Sequence, residues 1–322
     1  MAREVSAQLS TPKRSGKFLA VTTENSVERF TDRWARWLLK DRFGGDEERR
    51  RLNITGLEPF RDRILTAARI APGDIVLDVG CGDGLIGFGA IPLVGETGRV
   101  TFTDISDQLL DRCRQIASEL EVANRCQFLL SPAETLDGID DLSVDVVTTR
   151  SVLIYVDDKA SAFEAFWRVL KPGGRVSLFE PINTRFAALN RETLFGFDVA
   201  PVADLAARVR AVFEAAAPPD GAMMGFDETD LLHLAESAGF SDVNVTLELS
   251  STGSPFTSLS WDQLMKMSPN PNAPTYGEAI HQTLSTEEAH RLEGHLRTSM
   301  ESGAEGRNRA ALAYLTASKP SD

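Results

Sequence analysis

The amino-acid sequence predicts an α/β fold built on a doubly wound, mostly parallel sheet. Three observations carry this. Short apolar runs alternate with helix-length stretches between residues 75 and 181, the pattern of strands joined by crossover helices. The first run, Ile75-Val76-Leu77, feeds a glycine-dense turn, Gly80-Cys81-Gly82-Asp83-Gly84. The second ends on an acidic residue, Asp104. In such folds the turn after the first strand lies at the carboxyl ends of the strands, where ligands bind.

Composition bounds the function. The chain has 322 residues, 42% hydrophobic and 25% charged, which suits a decorated globular domain and excludes a fibre or wholesale disorder. No apolar run approaches the ~20 residues of a membrane helix. The net charge of -13 makes nucleic acid and anionic membranes poor partners. Three cysteines, Cys81, Cys113 and Cys126, form no CxxC pair, which fits a reducing compartment and an expected cytoplasmic location.

Taken in order, residues 1–25 are polar and Ser/Thr-rich, with no long apolar stretch after Lys13 and Arg14. They predict a disordered tail rather than a secretory signal, with a transit peptide as the alternative. Residues 26–43 predict a helix bearing Phe30, Trp34, Trp37, Leu38 and Phe43, either packed as core or, with the residues up to 56, folded as a lid over a cofactor. A second helix is expected at 57–70, ended by Pro72-Gly73. Strands follow at 75–77, 100–103, 127–130, 144–148 and 175–179, separated by helices at 84–94, 107–121 and 158–170. A helix at 228–238, a strand at 243–249 and an apolar run at 310–317 complete seven strand-like segments. The domain then spans 57–322, with inserts at 182–226 and 251–308. Loops of that length rarely stay structureless, so helices forming a cap are expected in both.

The turn lacks the third glycine of a dinucleotide fingerprint, because Leu85 stands there. Asp83 is also awkward beside a pyrophosphate, and with Asp78 suits a cationic ligand better. Asp104 is placed to accept from ribose hydroxyls.

Val76 to Gly84 resembles the first signature of class I S-adenosylmethionine-dependent methyltransferases. The similarity continues through Asp104-Ile105-Ser106, Ala133-Glu134, Asp145-Val146-Val147 with Arg150-Ser151, and Val169-Leu170-Lys171-Pro172-Gly173-Gly174. That last string is similar to the small-molecule branch related to ubiquinone and menaquinone methyltransferases. The resemblance covers residues 60–181 well, and 227–249 and 310–319 only as architecture. It implies a Rossmann-like, seven-stranded, mostly parallel sheet, S-adenosyl-L-methionine as cofactor and a small-molecule acceptor. Gly80, Cys81, Gly82 and Gly84 would form the turn around the methionine moiety, and Asp78 would fix that turn and the amino group. Asp104 would hold the ribose, with Ile105 and Ser106 against the adenine. Ala133 would meet the adenine edge, and Arg150, Ser151 and Val152 would sit beside the methyl donor.

Two departures from the pattern matter. Pro132 replaces an Asp that contacts the adenine amino group in many relatives, so Glu134 is the candidate substitute. Ile154 and Tyr155 stand where many have a histidine. Candidate bases are Glu180, Tyr155, Asp198 and His281, with Glu180 and Tyr155 preferred as catalytic residues; a structural hydrogen bond to the insert is the other role open to Glu180. Asp157-Asp158 could bind magnesium or cap a helix, and capping is expected, with no metal. His233 is expected to pack on the sheet, and His290 and His295 to be solvated. The acceptor pocket is expected between the N-terminal aromatic helix and the inserts, with Phe186, Phe195, Phe197, Met223, Met224, Trp261 and Met265 each placed either in its apolar wall or in the core of the insert itself. Arg33 or Arg36 is a candidate for the donor's carboxylate, with a surface salt bridge the expected role for either. A nicotinamide oxidoreductase and a non-catalytic S-adenosylmethionine-binding protein are the alternatives. A monomer or homodimer is expected.

Overall fold

The computed structural model describes residues 30–302 and 306–321; the expected tail at 1–25 lies outside them. Strands β1 (Ile75–Val79), β2 (Arg99–Asp104), β3 (Cys126–Leu130), β4 (Val144–Arg150), β5 (Leu170–Pro181), β6 (Ser241–Gly253) and β7 (Arg307–Ser318) form one sheet in the order β3-β2-β1-β4-β5-β7-β6. β1 to β5 pair in parallel, and β7 runs antiparallel to both β5 and β6. The seven-stranded, mostly parallel expectation therefore holds.

Both faces of the sheet's centre are covered, so β1 is buried on both sides, whereas β6 at the edge alternates half-buried and exposed residues. Val76 of β1 packs with α2 (Glu47–Ala67), α3 (Leu85–Val94) and α4 (Asp107–Glu119) in one core. Leu77 and Val79 pack with α5 (Lys159–Val169) and α8 (Glu228–Ser237) in the other. Strand order reverses between β1 and β4, so their carboxyl ends part there and leave a crevice.

The expected inserts fold together. The first carries α6 (Asn183–Leu189), a hairpin of Thr193–Leu194 with Phe197–Asp198, and α7 (Ala203–Ala216). The second carries α9 (Trp261–Met265), α10 (Tyr276–Thr283) and α11 (Thr286–Glu301). Phe197, Leu205, Val209, Leu264, Ile280, Leu292 and Leu296 give this cap its own hydrophobic core. β6 and β7 run on past the last β5 pair, Pro181 with Leu312, as a two-stranded arm ending at Gly253 and Arg307, and the cap sits at its end.

The N-terminal boundaries differ from expectation. α1 covers only Arg33–Leu39, because Asp32 caps it by accepting from the Ala35 amide at 2.8 Å; a 3-10 turn at Asp41–Phe43 follows. The next helix starts at Glu47, ten residues before expectation, where Asp46 caps it. Its first half exposes Leu52, and Gly56 and Pro59 interrupt the apolar period, so the pattern there is silent.

Candidate active site

The crevice at the carboxyl ends of β1 and β4 opens into a cavity of about 490 Å³. It is lined by Asp78, Gly80, Cys81, Gly82, Asp104, Ile105, Ala133 and Glu134, and by Trp34, Trp37, Arg42, Tyr155, Asn183 and Met223. Arg150, Ser151 and Val152 lie in its wall as well.

The turn is shaped by left-handed glycines and by close packing. Gly80 has φ 61°, and a Cβ there would come within 2.4 Å of Val152 Cγ2; at Gly82, with φ 56°, a Cβ would meet Leu38 Cδ2 at 2.9 Å. Gly84 caps α3 and contributes nothing to the lining. Across the crevice Ser151 also holds a left-handed φ of 56°, costly for a residue with a Cβ, and this brings Val152 against Gly80.

Carboxylates organise the backbone around this turn. Asp78 Oδ2 accepts the Gly87 amide at 2.8 Å, within the first turn of α3, and Oδ1 accepts from Thr148 Oγ1 at 3.3 Å. Burial pushes its carboxyl up to about 7, against these hydrogen bonds. Asp104 Oδ2 accepts the Gly82 amide and Oδ1 the Ser106 amide, each at 2.9 Å. Burial raises its carboxyl too. Asp83 pairs with Arg50 of α2 at 3.6 Å.

Glu180 is fully buried and does not line the cavity. Its Oε1 accepts the Val152 and Leu153 amides at 2.9 Å each, and Oε2 accepts Ile154 at 3.2 Å. It is thus a clamp on the loop after β4, which argues against its expected base role and against the expected bond to the insert. Burial raises it to about 7. Tyr155 does line the cavity, with its ring edge-on to Trp34 at 5.0 Å and Trp37 at 6.3 Å. Burial raises its phenol, so at neutral pH the hydroxyl is a proton donor and not a ready base. Asp198 and His281 are exposed and absent from the lining.

Other expectations sort by contact. Ser106 is absent from the lining; it caps α4 and donates to Asp32 Oδ2 at 2.8 Å, tying the N-terminal segment to the site. Asp158 caps α5, as expected. His233 is exposed rather than packed on the sheet, and His295 contacts the Asp198 carbonyl oxygen at 2.8 Å. Of the seven apolar residues expected in the pocket wall, Met223 lines the cavity; Phe195, Phe197, Trp261 and Met265 pack in or against the core of the cap. Neither Arg33 nor Arg36 reaches the cavity: Arg33 lies over Trp34, and Arg36 pairs with Asp41 at 2.9 Å. The lining residues missed from the sequence include Arg42, Ser131, Asn183 and Pro269. Only Arg42 carried a signal, its place beside the aromatic helix.

A family model described as a methyltransferase domain matches residues 70–239, more than half of the chain. The chain belongs to the class I S-adenosylmethionine-dependent methyltransferases. This methyltransferase is 31% identical over 174 residues to the ubiquinone/menaquinone biosynthesis C-methyltransferase UbiE of Cronobacter sakazakii, covering 53% of this chain and 68% of that protein. It is 34% identical over 118 residues to the tRNA 5-carboxymethoxyuridine methyltransferase of Escherichia coli, covering 36% of this chain and 43% of that one. Among solved structures, the YcgJ protein of Bacillus subtilis superposes with a TM-score of 0.51 at 14% identity, over 81% of this chain and 97% of that chain; this likeness concerns the fold alone.

The cofactor of this methyltransferase is S-adenosyl-L-methionine, and the residues present fit it. Gly80 and Gly82, both left-handed, bring backbone with no side chain to the cavity wall. Asp104 accepts backbone amides on both oxygens, and a carboxylate's four lone-pair sites leave capacity for a ribose. Ile105, 53% exposed, offers an apolar face. Ser131 adds a buried Oγ that has no partner among the described residues.

Proposed function

We propose that this methyltransferase acts on a small molecule, at an O, N or C nucleophile, by in-line displacement. The supporting observation is the mixed lining of one cavity. Its glycine turn and Asp104 suit the cofactor, and Trp34, Trp37, Tyr155 and Met223, contributed by the N-terminal segment, the loop after β4 and the first insert, add an apolar wall. Small-molecule pockets have this mixture of an apolar wall and a few convergent polar groups. The net charge of -13 favours such an acceptor over tRNA.

Bound S-adenosylmethionine supplies a methyl group on a sulfonium. In this proposal the chain's residues position the reactants. Asp104 holds the ribose, Asp78 faces the amino group, Ile105 and Ala133 flank the adenine, and Glu134 stands in for the Asp replaced by Pro132. Arg150, Ser151 and Val152 line the donor's methionine end, and the clamp by Glu180 fixes that loop. Tyr155 donates a hydrogen bond to the acceptor and orients it. α1 closes the site against water, which would stabilise the charged ground state over the transition state.

The test is incubation with methyl-labelled cofactor and a cell extract separated by size. Label in the small-molecule fraction is expected. Label confined to RNA or protein would overturn the reading. Tyr155→Phe should lower kcat up to about 10-fold, the equivalent of one lost hydrogen bond of about 1–1.5 kcal/mol; an unchanged kcat would remove Tyr155 from the chemistry.

A further inference from the structure

Among the described residues two cations line the cavity, Arg42 from the 3-10 turn and Arg150 from the end of β4. Neither forms an ion pair among the described residues. Arg42 lies over the rings of Trp37 at 5.2 Å and Phe43 at 5.6 Å, and Arg150 makes one weak contact with Ser151 Oγ at 3.4 Å. The two guanidinium groups also repel each other, and Arg150 is lowered to about 10, mainly by burial. A guanidinium held this way costs free energy unless an anion completes it.

Among the described residues no cavity carboxylate, Glu134 included, pairs directly with either, and Asp83 and Asp78 only offset part of the effect of burial. Asp83 is committed to Arg50, Asp78 to Gly87 and Thr148, and Asp104 to Gly82 and Ser106. S-adenosylmethionine brings a single carboxylate, which leaves one guanidinium over. Arg150 adjoins Ser151 and Val152, which pack on the glycine turn. Arg42 instead lies over Trp37, near enough to Tyr155 and to Asp83 of the turn for both to bear on its ionisation.

We propose that Arg42 recognises an anionic group, carboxylate or phosphate, on the methyl acceptor, while Arg150 takes the carboxylate of the cofactor. The substrate class is then an amphipathic acid with an apolar or aromatic body lying against Trp34, Trp37 and Tyr155. Arg42 is a specificity residue; its planar fork matches either anion in bidentate geometry. The proposal rests on the methyl-transfer reading above.

The experiment is titration calorimetry on the full chain saturated with S-adenosylhomocysteine, using benzoate and phenyl phosphate as probes and benzamide as the neutral control. At least one anion should bind, benzamide should bind at least 10-fold more weakly, and Arg42→Gln should lower the anion's affinity at least 10-fold. Arg42→Lys, which keeps the charge, should lose less. In the cofactor arm, Arg150→Gln should weaken S-adenosylhomocysteine but not methylthioadenosine, which lacks the amino-acid end, and Arg42→Gln should change neither more than about twofold. Benzamide binding as well as the anions, no binding of either anion, or Arg42→Gln selectively weakening S-adenosylhomocysteine would each overturn the assignment. Failure of the wild-type chain to bind S-adenosylhomocysteine at all would instead overturn the reading beneath it.

Discussion

Removing the carboxylate of Glu180 would orphan three amides at once, those of Val152, Leu153 and Ile154. Each buried donor left unsatisfied costs about 1–3 kcal/mol, so Glu180→Ala should lower stability by about 3 kcal/mol or more in urea unfolding. Glu180→Gln keeps one carbonyl acceptor and should cost less. Asp78 and Glu180 also give stability a pH dependence. Both carboxyls are raised by burial from ordinary values of 3.8 and 4.5 to about 7. Between those limits the folded chain holds more protons than the unfolded one, so their contribution is full below pH ~4 and is lost as pH rises through ~7. The ligand-free melting temperature should receive a falling contribution from pH 5 to 8, and Asp78→Asn should flatten that slope. The role of Asp78 as turn residue was legible from the sequence, because the strand, turn and carboxylate are local. The role of Glu180 was not: its position at a strand end suggested a base, and only the folded loop shows where its oxygens point.

At the scale of elements, α1 is tied to both halves of the molecule. The Trp37 indole donates to the Ser268 carbonyl at 3.1 Å, the Ser268 amide donates to the Asp41 carbonyl at 2.9 Å, and Ser106 donates to Asp32. These contacts support the lid proposal. Deletion of residues 1–43 should leave a folded chain with cofactor affinity at least 10-fold weaker and little turnover, whereas deletion of 1–20 should change neither. A truncation at 43 that keeps full activity would make the segment packing alone. The aromatic character of this helix was visible in the sequence. Its length was not, because the cap at Asp32 depends on a backbone turn. Gly80→Ala tests the opposite wall. It places a Cβ against Val152 at a left-handed φ, so it should destabilise by about 1–3 kcal/mol and loosen the Val152 loop.

The whole molecule combines a sheet domain with two cores and a cap with a third, joined through the β6–β7 arm. The sheet was legible because alternating runs and a Gly-x-Gly turn are repeated local signals. The pocket wall was not, because which aromatic residues face the ligand depends on how two inserts, distant in sequence, pack together; most turned inward. The crevice between β1 and β4 is predicted to bind S-adenosylmethionine through the glycine turn and Asp104. Calorimetric titration of the full chain with S-adenosylhomocysteine tests it most directly. One-to-one binding is predicted, weakened about 10- to 100-fold by Asp104→Ala, the equivalent of about 1–3 kcal/mol in hydrogen bonds. No binding by the intact chain, an affinity indifferent to Asp104→Ala, or tight binding of NADH in its place would contradict the account.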